Sequence, residues 1–164
     1  DIGFGTFGIT GGYMWDTSAW EAWGGIANYA SFTHELGISY QQWWEAPYVG
    51  VTLEGGVDRF TWSGRLYGTP FAMGNAEDTH HLRDLLFTEE YQSSSMYGIS
   101  FALGFVVTDN VKFKFGYDWQ EWLLAEGSTW VTDQATGDVV YEPLNSGGAS
   151  SSTETISAGF NYSF

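Results

Sequence analysis

The last ten residues constrain this chain most. From Thr155 to Phe164, Ile156, Ala158, Phe160, Tyr162 and Phe164 take one parity, and Thr155, Ser157, Gly159, Asn161 and Ser163 take the other. An unbroken period of two belongs to a β-strand whose side chains alternate between faces. One face is large and apolar. The other is small and polar, without the charges that usually cover the wet face of a soluble sandwich. A strand with lipid on one side and a wet lumen on the other fits this pattern.

The pattern recurs upstream. Tyr97, Ile99, Phe101, Leu103, Phe105 and Val107 alternate with smaller residues up to Thr108-Asp109-Asn110, a turn signal. Val111, Phe113, Phe115, Tyr117 and Trp119 then alternate with Lys112, Lys114, Gly116, Asp118 and Gln120. Two alternating runs around a short turn form a β-hairpin. Its inner face takes both lysines, and Phe101, Phe105, Phe113, Phe115, Phe160 and Phe164 are expected to face lipid. Val49, Val51 and Leu53 run into Glu54-Gly55-Gly56-Val57-Asp58, and Phe60, Trp62 and Leu66 continue opposite Thr61, Ser63, Arg65 and Tyr67. Phe7, Ile9, Gly11, Tyr13 and Trp15 alternate in the same way. Arg65 is expected to pair with an acid in the lumen.

These runs predict about six long strands, at 2–29, 31–55, 58–76, 86–107, 110–132 and 139–164, in one domain spanning 1–164. Two connections are short. Those around 27–36, 77–90 and 132–150 are expected to be longer, polar and acidic. Short turns at one end and long loops at the other are the asymmetry of an outer-membrane barrel. Trp43, Trp44, Tyr48, Trp119 and Trp122 crowd the segment ends, as an interfacial girdle does. The expected fold is an antiparallel transmembrane β-barrel. Barrels start at ~8 strands, and an open edge leaves unpaired backbone in lipid. Further N-terminal strands or a partner chain are therefore expected. Asp1 opens directly on strand-like sequence, which fits a removed signal or a longer chain.

Composition narrows the partners. Five Lys and Arg against 20 Asp and Glu leave a net charge of −15, which disfavours nucleic acid and suits basic peptides. Cys is absent, so thiol catalysis and disulfides are excluded. No apolar run approaches the ~20 residues of a spanning helix. Asp133, Asp138 and Glu142 read as a solvated acidic loop rather than a cation site, and no metal is expected. A soluble, aromatic-rich sandwich is the remaining fold, but it would leave the Phe160–Phe164 face as a large apolar patch in water.

Gly8–Tyr13, Tyr40–Thr52 (with Ala46-Pro47-Tyr48-Val49-Gly50), Phe60–His80, Gly104–Phe113 and Ser157–Phe164 occur in an order that resembles the C-terminal part of an omptin. Omptins are the outer-membrane endopeptidases of Gram-negative bacteria. The resemblance implies an omptin-type barrel of about ten strands, of which this chain supplies the last six. It places the long loops outside the cell and the C-terminus in the periplasm. It implies no cofactor, and it makes outer-membrane lipid and lipopolysaccharide candidate partners. Asp78-Thr79-His80 stands at the family's Asp-x-His, so the resemblance makes Asp78 and His80 half of a site that activates a water. The facing Asp pair of the family matches no residue here. The family's acid two residues before the catalytic Asp is Ala76 here, with Glu77 adjacent as a weak candidate for substrate binding. Tyr13 matches the Tyr of the lipopolysaccharide cluster. Trp15, Thr17 and Trp43 stand at its acid and Arg positions, and Gln92 lies near its Lys. These departures keep a second reading in view, a non-catalytic scaffold, adhesin or assembly partner.

The chemistry suits the pair. An imidazole, with an unperturbed pKa of about 6.5, accepts a proton near neutral pH, and a carboxylate at its other nitrogen supports the cation formed. Residues i and i+2 of a strand share a face. Parity raises a conflict, because Phe60, Trp62 and Leu66 put even positions outward. Continued unbroken, that would aim Asp78 and His80 away from the lumen. A bulge near Pro70 or Gly74, or a position above the membrane, is expected to resolve it. His81 and His34 read as uninvolved loop residues.

Overall fold

The computed structural model describes residues 5–27 and 30–162. Seven strands form one antiparallel sheet: β1 (Gly5–Ala27), β2 (Ala30–Val57), β3 (Phe60–His80), β4 (Leu85–Tyr91), β5 (Ser94–Thr108), β6 (Val111–Asp133) and β7 (Val139–Tyr162). β4 and β5 are two halves of one lane. β3 and β6 pair with β4 over their distal parts and with β5 over their proximal parts. The expected strand at 86–107 is thus present but interrupted at Gln92-Ser93, and the sheet has six lanes in sequence order. Among the described residues β1 and β7 pair with β2 and β6 but not with each other.

The proximal end carries the two-residue turns, at 58–59 and 109–110. Cross-strand rows of apolar side chains cover the outer face from there. Phe60, Phe105, Phe113 and Phe160 lie in one row, and Trp62, Leu103, Phe115 and Ala158 in the next. Phe101 and Ile156 follow, and then Ile9, Val51, Leu66, Ile99 and Trp119. Phe101, Phe105, Phe113, Phe115 and Phe160 are all exposed on this face; Phe164 lies outside the described residues. The rows span Phe60–Leu66 of β3, Ile99–Phe105 of β5 and Phe113–Trp119 of β6; exposed Tyr97 extends the apolar face of β5 by one more position, close to the ~9 residues that cross a bilayer's hydrocarbon core. Behind them the inner face is polar, with Thr52, Ser63, Arg65, Ser100, Lys114 and Asp118 around one hollow. Arg65 donates to Ser100 Oγ at 3.1 Å and lies 4.5 Å from the centre of the Tyr67 ring. Among the described residues it makes no ion pair with a lumen acid, because a hydroxyl and an aromatic face occupy its guanidinium.

The distal connections are not the long loops expected. The strands themselves continue through much of 27–36, 77–90 and 132–150. A single turn of 3-10 helix, His81–Arg83, joins β3 to β4, and residues 134–138 join β6 to β7. In that second turn, Asp133 Oδ1 accepts from the backbone N–H groups of Ala135 and Thr136, and Asp138 Oδ2 from the Thr136 hydroxyl. Polar sequence misleads here, because strands of 21 to 28 residues far exceed a bilayer crossing. Above the apolar rows both faces can be polar and still be strand.

One belt of irregularity separates the two levels. β3 carries one extra residue between Thr69 and Ala72 relative to β5, and between Gly68 and Met73 relative to β2. The adjacent lane breaks between β4 and β5, and β6 carries an extra residue between Trp122 and Ala125. Ser94 Oγ donates to the carbonyls of Leu123 and Leu124 at 3.1 Å, and Phe71 N–H to Thr69 Oγ1 at 3.2 Å. One inserted residue reverses which parity faces the lumen. Three neighbouring lanes reverse together, so their inner faces still agree. β2 keeps its parity from Gly50 to Ile38 and β7 from Tyr162 to Gly147; further irregularities lie beyond, at Gly37 of β2 and between Glu142 and Gly147 of β7.

At this level the inner face packs an aromatic layer. Trp44 is 1% exposed and Trp122 0%, and both stack with ring centroids 5.6 Å apart. Trp44 also stacks on Tyr91 at 5.6 Å. Ala46, Tyr67, Ala72, Ala76, Met96 and Ala125 complete the cluster. Trp44 and Trp122 are therefore core and not interfacial girdle, because their parity aims them inward. Gly74 sits regularly in β3, and its role is close approach. A Cβ there would come within 2.7 Å of Trp44 and 2.9 Å of Tyr91.

Candidate active site

The reversal at Thr69–Ala72 decides where Asp78 and His80 point. Below it Arg65 and Tyr67 face inward; above it Ala72, Gly74 and Ala76 are buried and Phe71, Met73 and Glu77 are exposed. Asp78 and His80 follow the buried parity, onto the inner face above the aromatic layer. The parity conflict is resolved by a bulge at Pro70–Phe71, where proline suits a break in the ladder.

His80 Nε2 lies 3.3 Å from Asp78 Oδ2, with the two side chains 24% and 29% exposed. This contact comes from strand geometry, since i and i+2 stand on one face. The His80 ring lies against Phe87 of β4, centroids 5.0 Å apart and tilted by 52°. The second carboxylate oxygen, Asp78 Oδ1, is buried and has no hydrogen-bond partner among the described residues. Glu77 is exposed on the opposite face of β3, beside Gln41 of β2 and Thr88 of β4. It does not share the side of Asp78 and His80. His81 Nε2 lies 2.9 Å from Ser39 Oγ at the distal turn.

The register adds residues that the sequence did not single out. Tyr40 of β2 lies directly across from Asp78, and Gln42 across from Ala76. On the other side Phe87 faces Asp78 and Glu89 faces Ala76. The Tyr40 hydroxyl donates to Gln42 Oε1 at 3.1 Å, and the Tyr91 hydroxyl to Glu89 Oε2 at 2.6 Å. Burial first, and then the Glu89 carboxylate, push the Tyr91 phenol far above its ordinary range, so it stays a donor at every physiological pH. On the inner face of the sheet an aromatic layer (Trp44, Tyr91) thus lies beneath an acid–imidazole pair, with a second acid, Glu89, across from Ala76.

The family model described as Omptin family matches residues 5–164. The chain belongs to the omptin family. It is 28% identical over 164 residues to the plasminogen activator of Yersinia pestis, covering 96% of this chain and 53% of that protein. It is 26% identical over 168 residues to the outer membrane protease OmpP of Escherichia coli (strain K12), covering 95% and 53%. The chain thus spans about half the length of these omptin relatives. The crystal structure of the outer membrane protease OmpT from Escherichia coli superposes with a TM-score of 0.82 at 21% identity, over 98% of this chain and 58% of that one. That likeness shows the omptin fold.

Proposed function

We propose that this omptin chain is the C-terminal part of an outer-membrane endopeptidase in which Asp78 and His80 form half of the catalytic site. The supporting observation is the inward-facing pair, 3.3 Å apart, on the inner face of the sheet above the apolar rows. Asp78 holds Nε2 of the imidazole, so Nδ1 is free to take a proton from an attacking water. A carboxylate supplied from across the lumen, by strands beyond this chain, positions that water. The distal end is extracellular and the proximal turns and C-terminus are periplasmic, so the site meets peptides outside the cell. With 20 acidic residues against five basic ones, the protein draws in basic peptides.

The test uses the full-length protein in lipopolysaccharide-containing micelles with a panel of peptides. Asp78→Asn and His80→Ala each lower kcat by about 10²–10⁴-fold, the usual worth of acid–base catalysis, while the barrel still folds. Wild-type-like cleavage by either variant would rule the assignment out.

One observation favours a second reading, a scaffold or adhesin. Tyr13 and Trp15 are exposed on the outer face near the top of the apolar rows, where the family's lipopolysaccharide cluster is basic. Aromatic rings there suit the headgroup level of a membrane but do not neutralise phosphate. An uncleaved peptide panel together with unchanged membrane insertion would favour this reading.

A further inference from the structure

One row of the ladder crosses the inner face at the level of Asp78: Trp20 of β1, Tyr40 of β2, Asp78, Phe87 of β4, Val131 of β6 and Val140 of β7. Asp78 carries the only charge in that row. On the β1 side of the carboxylate, Trp20 and Tyr40 stack with ring centroids 5.4 Å apart and planes 23° from parallel. The Tyr40 hydroxyl is tied at 3.1 Å to Gln42, itself buried, so that ring is held in place. Trp20 lies against it and is 50% exposed. The neighbouring pairs, Ala22 with Ile38 on the distal side and Ser18 with Gln42 on the proximal side, carry no charge either. The stack is therefore a fixed aromatic shelf beside the acid–imidazole pair, with no ion to serve and much of an indole left open. Apolar surface in contact with water is costly, and an apolar side chain laid on it relieves that cost.

We propose that the Trp20–Tyr40 shelf is a substrate subsite that selects a bulky apolar side chain, aromatic above all, two residues beyond the residue flanking the scissile bond. The inference rests on the endopeptidase reading and adds a preference away from the bond itself. Spacing sets the position. Neighbouring strands lie about 4.8 Å apart, so a stack shared by β1 and β2 is centred roughly 7 Å from the line of β3. A peptide extended across the strands rises about 3.3 Å per residue, and its alternate side chains turn to the same face. With one residue at Asp78, the next to face the sheet is two away, about 6.6 Å along and over the stacked rings. Because Trp20 and Tyr40 are stacked beforehand, little further ordering is needed when a third ring joins them. Trp23 is not part of the shelf, since its indole N–H donates to Glu21 at 2.9 Å.

The experiment uses the full-length protein in lipopolysaccharide-containing micelles and two readouts. Matched peptides carry Phe or Ser two residues beyond the flanking residue, on either side of the scissile bond. The first readout is kcat/KM for each peptide. The second is binding of labelled versions of the same peptides, followed by fluorescence anisotropy in the His80→Ala background. On one side of the bond, Phe is expected to be preferred over Ser by about tenfold in both readouts. Trp20→Ala and Trp20→Gln each bring that ratio close to one, Trp20→Phe keeps part of it, and Trp23→Ala leaves it as in wild type. If wild type cleaves the Phe and Ser peptides equally well, or if the Trp20 variants keep the wild-type ratio, the proposal is overturned. If no peptide is cleaved but the Phe peptide binds more tightly and Trp20→Ala abolishes the difference, the shelf stands and the endopeptidase reading falls. Equal binding without cleavage overturns both.

Discussion

Asp78 and His80 are two residues apart on a strand, and their contact needs no tertiary help. What surrounds them does. Ala76 looks like the loss of an acid when β3 is read alone. Across the ladder, Glu89 stands beside it. The pairs His80–Leu85, Asp78–Phe87 and Ala76–Glu89 follow from the tight turn at His81–Arg83. With 77–90 read as a loop, that arithmetic is invisible. Trp44 carries the clearest residue-scale prediction. It is buried between Tyr91 and Trp122, and Gly74 is bare to admit it. Trp44→Ala is expected to cost about 3–5 kcal/mol, through lost burial and the cavity left behind. Urea unfolding of the folded barrel in micelles measures this, and a change under 1 kcal/mol (roughly a Val-sized trim) would mean the layer is not packed as described.

At the scale of elements, the one extra residue in β3 does more than any side chain. It turns Asp78 and His80 inward and Glu77 outward, and matching irregularities in the next two lanes keep the faces in agreement. Deleting Phe71 is expected to reverse the distal part of β3. Because the chain has no Cys, single-Cys probes report this cleanly. In the parent, Glu77→Cys reacts fast with a bulky thiol reagent and Ala76→Cys reacts slowly. In the Phe71 deletion the order inverts and peptide cleavage is lost. An unchanged order would show that the bulge does not set the facing. The sequence signalled the need for such a device, since the parity of Phe60, Trp62 and Leu66 conflicted with an inward Asp78. It did not signal the companion break at Gln92-Ser93 or the bulge at Leu123-Leu124, where local composition is unremarkable.

The whole molecule is a two-level sheet. Its proximal half shows apolar rows outward and a polar hollow inward; its distal half carries the Asp78–His80 pair on the inner face, well clear of those rows. The levels predict opposite tolerances. Phe115 lies midway up the apolar rows, between Leu103 and Ala158. Phe115→Arg is expected to cost about 2–4 kcal/mol in a bilayer, the depth-dependent penalty for a cation facing lipid. Ala102→Lys, on the inner face between Ser63 and Gly116, is expected to cost far less. Folding titrations in lipid vesicles measure both, and equal penalties would contradict the assignment of faces.

By itself the sequence determined the strand pattern of the proximal half, its outward and inward faces, its two tight turns, and the adjacency of Asp78 and His80. There one face meets apolar surroundings and the other water, so hydropathy alternates and can be read residue by residue. Tertiary structure decided the rest: that the distal segments are strand, that Trp44 and Trp122 fill the interior, that Asp78 and His80 face inward, and that Glu89 stands across from Ala76. Above the apolar rows the hydropathy contrast between faces fades, so period-two reading loses its signal. A single inserted residue then reverses every side chain beyond it, and only the register of neighbouring strands records that.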